Sequence, residues 1–297
     1  MTKVCVTGGS GGAGNAIIRD LLAKGYDCLN LDINPPNEEL CPFAQLDMTD
    51  YDAVLEAMTG SDMLVHMAGN PHPDEDHRGA ADRFANNTVA LFNAFNAAAA
   101  LGIKRIVWAS SETIFGFPFI ENQPPEVPLT ETATPAPQTG YAVSKAASET
   151  IAELMAEMHG MTIIGLRLSN VLYDDVAAVP SFQKIPGYWD DLNSRKFNLW
   201  GYIDCRDAAR AVRLALEADL SGAEVFNIAA VDTIMKQPSR ELVEQTMPEV
   251  KIHHGLTGRH AMLDCNKARI LLGWEPEYTW SSILEIDPSA TNKDDAS

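Results

Sequence analysis

The sequence predicts an α/β protein built on a doubly wound parallel sheet, with a smaller lobe toward the C-terminal end. Three observations predict it. Short apolar runs that suit buried strands alternate with runs of helical period through about residue 170. A glycine-rich turn joins the first such strand to the first helix, and a carboxylate closes the second strand. Beyond residue 170 the alternation loosens and no single period describes the apolar positions.

The first unit is the most informative. Val4-Cys5-Val6-Thr7 reads as a buried strand, Gly8-Gly9-Ser10-Gly11-Gly12-Ala13-Gly14 as a turn, and Ala16-Ile17-Ile18 with Leu21-Leu22-Ala23 as a helix over 13–24. Leu29-Asn30-Leu31-Asp32 reads as the second strand, over 27–32. Strand, glycine turn, helix, strand, acid is the order that a Rossmann-like dinucleotide site requires. Gly8, Gly11, Gly12 and Gly14 let the backbone turn tightly and approach a pyrophosphate at the helix N-terminus, where free N–H groups point outward. Asp32 is placed to accept hydrogen bonds from adenosine ribose hydroxyls. It would repel a 2′-phosphate, and no Arg follows it closely, so the pattern favours NAD over NADP.

Further strands are expected at 62–67, 104–109 and 161–167, and helices at 51–58, 80–101 and 140–158, with right-handed crossovers. The segment 117–138 carries Pro118, Pro124, Pro125, Pro128, Pro135 and Pro137 and has little period, which suggests a functional cover. A mixed stretch, 174–197, precedes a helix at 206–218, a strand at 224–228 and helices at 238–246 and 266–272. Residues 1–169 are read as the NAD-binding domain and 170–285 as a smaller substrate lobe interleaved with the last sheet strands. The polar tail 286–297 is expected to lack fixed structure.

At 297 residues the chain can bury a large core. A net charge of −19 without a Lys/Arg cluster argues against nucleic-acid binding and suits an acidic, soluble surface. The five cysteines are odd in number, form no C-x-x-C, and include two in predicted core strands, which suits free thiols in a reducing cytoplasm. The first strand begins at once, so no signal peptide is expected, and no apolar run approaches a membrane span. The expectation is a cytoplasmic protein without a metal site.

Tyr141 and Lys145 lie four residues apart on the predicted helix 140–158 and share a face. A Tyr beside a Lys ammonium and a nicotinamide cation has its phenolate stabilised, which makes it a usable base near neutral pH. Taken alone, Tyr-x-x-x-Lys is common as an exposed helix pair. Here it follows a nucleotide turn, a fourth strand and the proline-rich segment. Ser110 and Ser111 sit just past that fourth strand, at the carboxyl edge where open α/β sheets bind ligands. The combination points to catalysis.

On these pieces, and on Asp47-Met48, His66-Met67-Ala68-Gly69, Asn87, Leu166-Arg167-Leu168-Ser169-Asn170 and Leu271-Leu272-Gly273-Trp274-Glu275-Pro276, the chain resembles the extended short-chain dehydrogenase/reductases. That family includes sugar epimerases, dehydratases and dehydrogenases, and the resemblance covers nearly the whole chain. It implies that Tyr141 is the general acid/base, that Lys145 lowers its pKa and holds the nicotinamide ribose, and that Ser111 hydrogen-bonds the reacting oxygen. It further implies adenine contacts from Asp47 and Met48, cofactor contacts from Ala68 and Gly69, Leu168 against the nicotinamide, and Asn170 on the substrate. Asn87 suits a structural hydrogen bond as well as a catalytic one, and Arg167 a buried ion pair as well as a substrate contact. Arg259 and His260 fall near where the family closes over substrate, and Arg259 is a candidate contact. A homodimer through helices 80–101 and 140–158 is also implied. Leu91, Phe92 and Phe95 would suit that helix packing, or simply packing on the sheet.

Members of that family begin by moving a hydride between substrate and nicotinamide. Its dehydratases carry Thr-Asp-Glu where this chain has Ser111-Glu112-Thr113; Glu112 could replace the Asp, but Thr113 cannot act as the carboxylate base. Its nucleotide-sugar enzymes carry a diphosphate-gripping Arg before a Tyr-Ile-His-Val-like strand, and the run 197–204 has none. The C-terminal lobe is also short. Both departures suggest a small substrate, as in the family's aldose and uronate dehydrogenases. The expected function is NAD-dependent oxidation of a hydroxyl on a sugar, sugar acid or similar polyol. The alternatives are a nucleotide-sugar 4-epimerase and a catalytically silent NAD-sensing protein, and the intact Ser111, Tyr141 and Lys145 argue against the latter. The pocket is expected from loops 70–79, 112–138 and 174–198, with one or two of Trp108, Phe115, Phe117, Phe119, Trp189 and Trp200 as an apolar wall and the rest as packing.

Overall fold

Strands buried on both faces form the centre of the computed structural model, which describes residues 1–72, 76–119, 122–173 and 181–288. The strands are β1 (Lys3–Thr7), β2 (Asp27–Asp32), β3 (Phe43–Gln45), β4 (Met63–His66), β5 (Arg105–Ser111), β6 (Glu126–Val127), β7 (Thr162–Leu168), β8 (Val171–Leu172), β9 (Ile203–Asp204), β10 (Ala223–Ile228) and β11 (Lys251–Ile252). The α-helices are α1 (Gly12–Ala23), α2 (Tyr51–Met58), α3 (His77–Leu101), α4 (Gly140–His159), α5 (Cys205–Glu217), α6 (Ser239–Thr246), α7 (Asn266–Leu272) and α8 (Trp280–Leu284). Seven strands make one parallel sheet in the order β10-β7-β5-β4-β1-β2-β3. Strand order reverses between β1 and β4, which opens a crevice at their carboxyl ends.

Successive strand residues face opposite layers. Val4, Val6, Val65, Val107 and Ile164 pack with α1, α5 and α7. Cys5, Leu64, Ile106, Trp108 and Ile163 pack with α2, α3 and α4. Each strand therefore reads as a continuous apolar run. A third core, around Phe117, Phe182, Trp200, Tyr202, Met235 and Trp280, belongs to the smaller lobe. Phe117, Phe119, Val127 and Leu129 are buried in it, so the described part of the proline-rich segment is a wall of the lobe.

Several elements differ from expectation. β3 was not foreseen, because three residues are too few to show a period. β5 runs on through Ser110 and Ser111, so both serines belong to the strand. Elements beyond residue 169 return to the main sheet: β10 pairs with β7, and Arg213 on α5 meets Asp20 on α1 at 2.8 Å. The Leu-Gly-Trp-Glu-Pro run caps α7 with left-handed Gly273, and the Trp274 indole N–H donates to the Asp207 carbonyl at 3.0 Å. Leu91 and Phe95 are buried in the sheet-side core, whereas Phe92 is 44% exposed. The tail from 289 onward lies outside the described residues, as do 73–75, 120–121 and 174–180 within the three expected pocket loops. Among the described residues no helix is long and apolar enough to cross a membrane.

Candidate active site

The crevice at the β1/β4 reversal holds a cleft of about 620 Å³. Gly8, Gly11, Gly12, Gly14, Asp32, Asp47, Met48, Ala68 and Gly69 all line it, so the structure brings these nine of the predicted cofactor residues together. The cradle suits a dinucleotide on steric grounds. Gly8 has φ +71°, and a Cβ there would stand 2.7 Å from the Ala68 nitrogen. A Cβ on Gly14 would collide with the Gly8 carbonyl oxygen. Helix α1 has Gly11 as its N-cap, no side-chain cap and no acidic residue in its first turn, so its N–H groups are open to an anion. The Asp32 carboxylate is held by the Ser10 N–H at 3.0 Å and the Asn34 N–H at 2.9 Å. Asp47 accepts from the Thr49 N–H and hydroxyl, both at 2.8 Å.

A second cleft, of about 550 Å³, adjoins the first and shares Ala13, Met67, Gly69, Pro71, His72 and Tyr173 with it. Ser111, Tyr141, Lys145, Leu168 and Asn170 line this second cleft. Ser111 ends β5 opposite Leu168 on β7. Thr139 caps α4 by accepting the Ala142 N–H at 3.0 Å, which sets Tyr141 in the first turn. One turn on, the Lys145 ammonium stands 5.6 Å from the centre of the Tyr141 ring and donates to the Ala109 carbonyl at 2.7 Å.

Burial governs the charges here. It pushes the Tyr141 phenol up to about 12; a hydrogen bond with Ser111 acts downward and Glu112 upward. The expected lowering of this phenol is therefore absent in the protein alone. Burial brings Lys145 down to about 8. It also lifts Glu112 to about 8, against the Ser169 hydroxyl, the Arg195 charge and the Asn170 N–H. His66 is driven down to about 3 by burial and Lys145, and pairs with the Thr7 hydroxyl at 2.8 Å.

Other candidates have structural partners. Asn87 accepts the Asn70 N–H at 2.8 Å and donates to the Asn70 carbonyl at 3.1 Å, tying α3 to the loop after β4. Arg167 forms a buried two-pronged pair with Glu149 at 2.9 and 2.8 Å, and Glu149 also accepts the Ser110 hydroxyl at 2.6 Å. Arg259 lines neither cleft. It stands 3.7 Å from Asp232 in the smaller lobe, where Tyr202 donates to Asp232 at 2.6 Å, and His260 faces a different cavity. Tyr173, Ser169, Arg195 and Asn198, which were not among the expected site residues, also line the second cleft. Arg195 and Asn198 lie in or beside the mixed stretch, whose irregular 3₁₀ turns leave no period to read.

The pattern defining the NAD dependent epimerase/dehydratase family matches residues 4–229. A UDP-glucose 4-epimerase of Lacticaseibacillus casei is 26% identical over 93% of this chain and 92% of its own. An L-arabinose 1-dehydrogenase (NAD(P)(+)) of Haloferax volcanii is 29% identical over 59% of this chain and 69% of its own. A solved UDP-glucose 4-epimerase from Thermotoga maritima shares the fold, with TM-score 0.72 at 21% identity over 97% of both chains. With that match over residues 4–229, from β1 to β10, and the glycine cradle that a dinucleotide needs, the chain belongs to the NAD dependent epimerase/dehydratase family.

Proposed function

We propose that this protein oxidises a carbinol of a sugar, sugar acid or similar small polyol, with Tyr141 as the base. The observation that carries the reading is the convergence of Ser111, Tyr141 and Lys145 on the second cleft, which adjoins the glycine-lined one. Gly8, Gly11, Gly12 and Gly14 would hold the NAD pyrophosphate, Asp32 the adenosine ribose, Asp47 and Met48 the adenine, and Ala68, Gly69, Lys145 and Leu168 the nicotinamide half. NAD, when bound, supplies the hydride acceptor and a positive ring charge beside the phenol. Ser111 orients the substrate hydroxyl and Tyr141 takes its proton. Lys145 holds positive charge beside the phenol, and Asn170 meets the substrate.

The charge of the second cleft favours a small substrate. Among its described lining residues the Lys and Arg side chains are Lys145 and Arg195. Farther on, Arg206 is committed to Asp204 at 2.9 and 2.7 Å, and Arg210 to Asp207 at 2.9 Å. A diphosphate calls for a bidentate arginine grip. The second reading, a nucleotide-sugar 4-epimerase, draws on the full-length relative from Lacticaseibacillus casei.

The test is NADH absorbance with NAD and a panel of free aldoses, uronates and polyols, repeated with NADP. NADH should form, and Tyr141→Phe should lower the rate roughly 10²–10⁴-fold, the usual share of a positioned acid/base. Silence across the panel, with tightly copurifying NAD and interconversion of nucleotide sugars, would replace this reading with the epimerase.

A further inference from the structure

One corner of the second cleft concentrates buried polar atoms that the fold leaves unsatisfied. Asn198 Oδ1 and Arg195 Nε have no hydrogen-bond partner among the described residues; Glu112 Oε2 and Ser169 Oγ stand close enough for the hydroxyl to favour the ionised carboxyl but form no well-aligned bond, and all four side chains line the cleft. Glu112, Ser169 and Asn198 are 5%, 3% and 5% exposed, so solvent does little to satisfy them. They converge on Gly201: a Cβ there would stand 2.9 Å from Ser169 Oγ and 3.7 Å from Glu112 Oε2. The Asn198 amide NH₂ is committed to the Gly201 carbonyl at 2.9 Å, which leaves its oxygen over. The Arg195 guanidinium lies 4.8 Å from the centre of the Phe197 ring, with its Nε still to be used. Native folds pair nearly all such groups, so a cluster of orphans at the wall of a cleft points to a ligand that completes it.

We propose that Glu112, Ser169, Arg195 and Asn198 form a hydroxyl-recognition corner that selects a neutral polyhydroxylated substrate over the matching uronate or sugar phosphate. The proposal rests on the second cleft being the substrate site, and narrows the substrate class given above. The donor and acceptor inventory decides it. Arg195 Nε–H only donates and Asn198 Oδ1 only accepts, whereas a hydroxyl and a protonated carboxyl do both. Neighbouring hydroxyls on a ligand give and take, so they can satisfy the whole set. A carboxylate or phosphate only accepts and would leave Asn198 Oδ1 facing an anion. Ionised, Glu112 repels an anion; protonated, it no longer does so, and the barrier to an anion is then Asn198 Oδ1, which can only accept. Burial lifts Glu112 to about 8, so it carries a proton at neutral pH and can donate as well as accept. The terminal torsions of Glu and Asn side chains are broad, so turning these oxygens onto a ligand needs no backbone movement.

The test is calorimetric binding to NAD-loaded Tyr141→Phe protein, which removes turnover from the readout. The probes are two matched sets: D-galactose, D-galacturonate and D-galactose 6-phosphate, and the corresponding glucose series. In at least one set the neutral sugar should bind at least tenfold more tightly than both anionic partners. Glu112→Met in the same background should weaken the neutral sugar at least tenfold while Tm holds or rises, because an apolar chain of similar length replaces an orphan carboxyl. A merely structural Glu112 would instead lower Tm and leave binding unchanged, which would overturn the proposal. So would an anionic sugar that binds as tightly as its neutral partner, or no binding by any of the six. Should Glu112→Met fail to fold, Arg195→Gln decides: neutral binding falls at least tenfold, or the proposal fails. Neutral-sugar binding without NADH formation by the wild type would keep the corner and remove the dehydrogenase reading.

Discussion

At the scale of single residues, the site is a set of charges displaced by burial. Lys145 sits at about 8 and Glu112 at about 8, on one cleft but displaced in opposite directions from their ordinary values of 10.5 and 4.5. Linkage fixes the consequences. Glu112 binds its proton more tightly folded than unfolded, so its contribution to stability is lost as pH rises from about 4.5 to about 8. Lys145 binds its proton less tightly folded, so its contribution is lost as pH falls from about 10.5 to about 8. Together they make pH 8 the least favourable point for this pair in the NAD-free protein. Urea midpoints measured across pH 5–10 should therefore show a falling limb below about 8 that flattens in Glu112→Met; an unchanged limb would contradict the assignment. Asp32 carries a second residue-scale prediction. Its carboxylate is already oriented by two backbone N–H groups, so Asp32→Ala should weaken NAD about tenfold and narrow the preference over NADP, read by titrating both dinucleotides. Asp32 and Lys145 were legible because their chemistry demands particular residue types at fixed spacing. Arg195 was not, because its place in the cleft depends on how the smaller lobe folds, and Arg259 was misplaced for the same reason.

At the scale of elements, close backbone approach explains which glycines matter and how. A Cβ on Gly14 meets the Gly8 carbonyl, which cannot move without opening the turn, whereas a Cβ on Gly12 meets the Tyr173 ring at 2.8 Å. A side chain can swing away and a backbone carbonyl cannot. Gly14→Ala should cost about 1–3 kcal/mol or more in chemical denaturation and abolish NAD binding. Gly12→Ala should leave stability nearly unchanged and weaken NAD. Equal effects on stability would contradict this. The Arg167–Glu149 pair links β7 to α4 beneath the serines of β5, with both side chains largely buried. Arg167→Leu leaves one carboxylate uncompensated and should cost about 3–5 kcal/mol. Glu149→Leu together with Arg167→Leu should recover much of that loss. Strands of the main sheet were readable from their apolar runs, but the sequence could not show that β5 carries Ser111 as its last residue. That boundary is set by pairing with β7, since Ser110 and Ser111 oppose Arg167 and Leu168.

At the scale of the whole molecule, two cores sandwich the sheet and a third builds the smaller lobe. The second cleft lies between strand ends of the sheet and walls of that lobe, so its residues come from both. The cofactor half was legible because it is one contiguous strand-turn-helix-strand unit. The substrate half was not, because Glu112, Ser169, Arg195 and Asn198 are brought together from separate stretches of chain. The proposed oxidation requires that a hydride leave the substrate for good. It is tested most directly by following deuterium from an aldose labelled at its reacting carbon, chosen as the one oxidised fastest in the panel. One deuterium should appear in the released NADH for each oxidised sugar, with none of this transfer in Tyr141→Phe. Deuterium that stays in the recovered sugar beside an inverted centre, with unlabelled dinucleotide in solution, would contradict it.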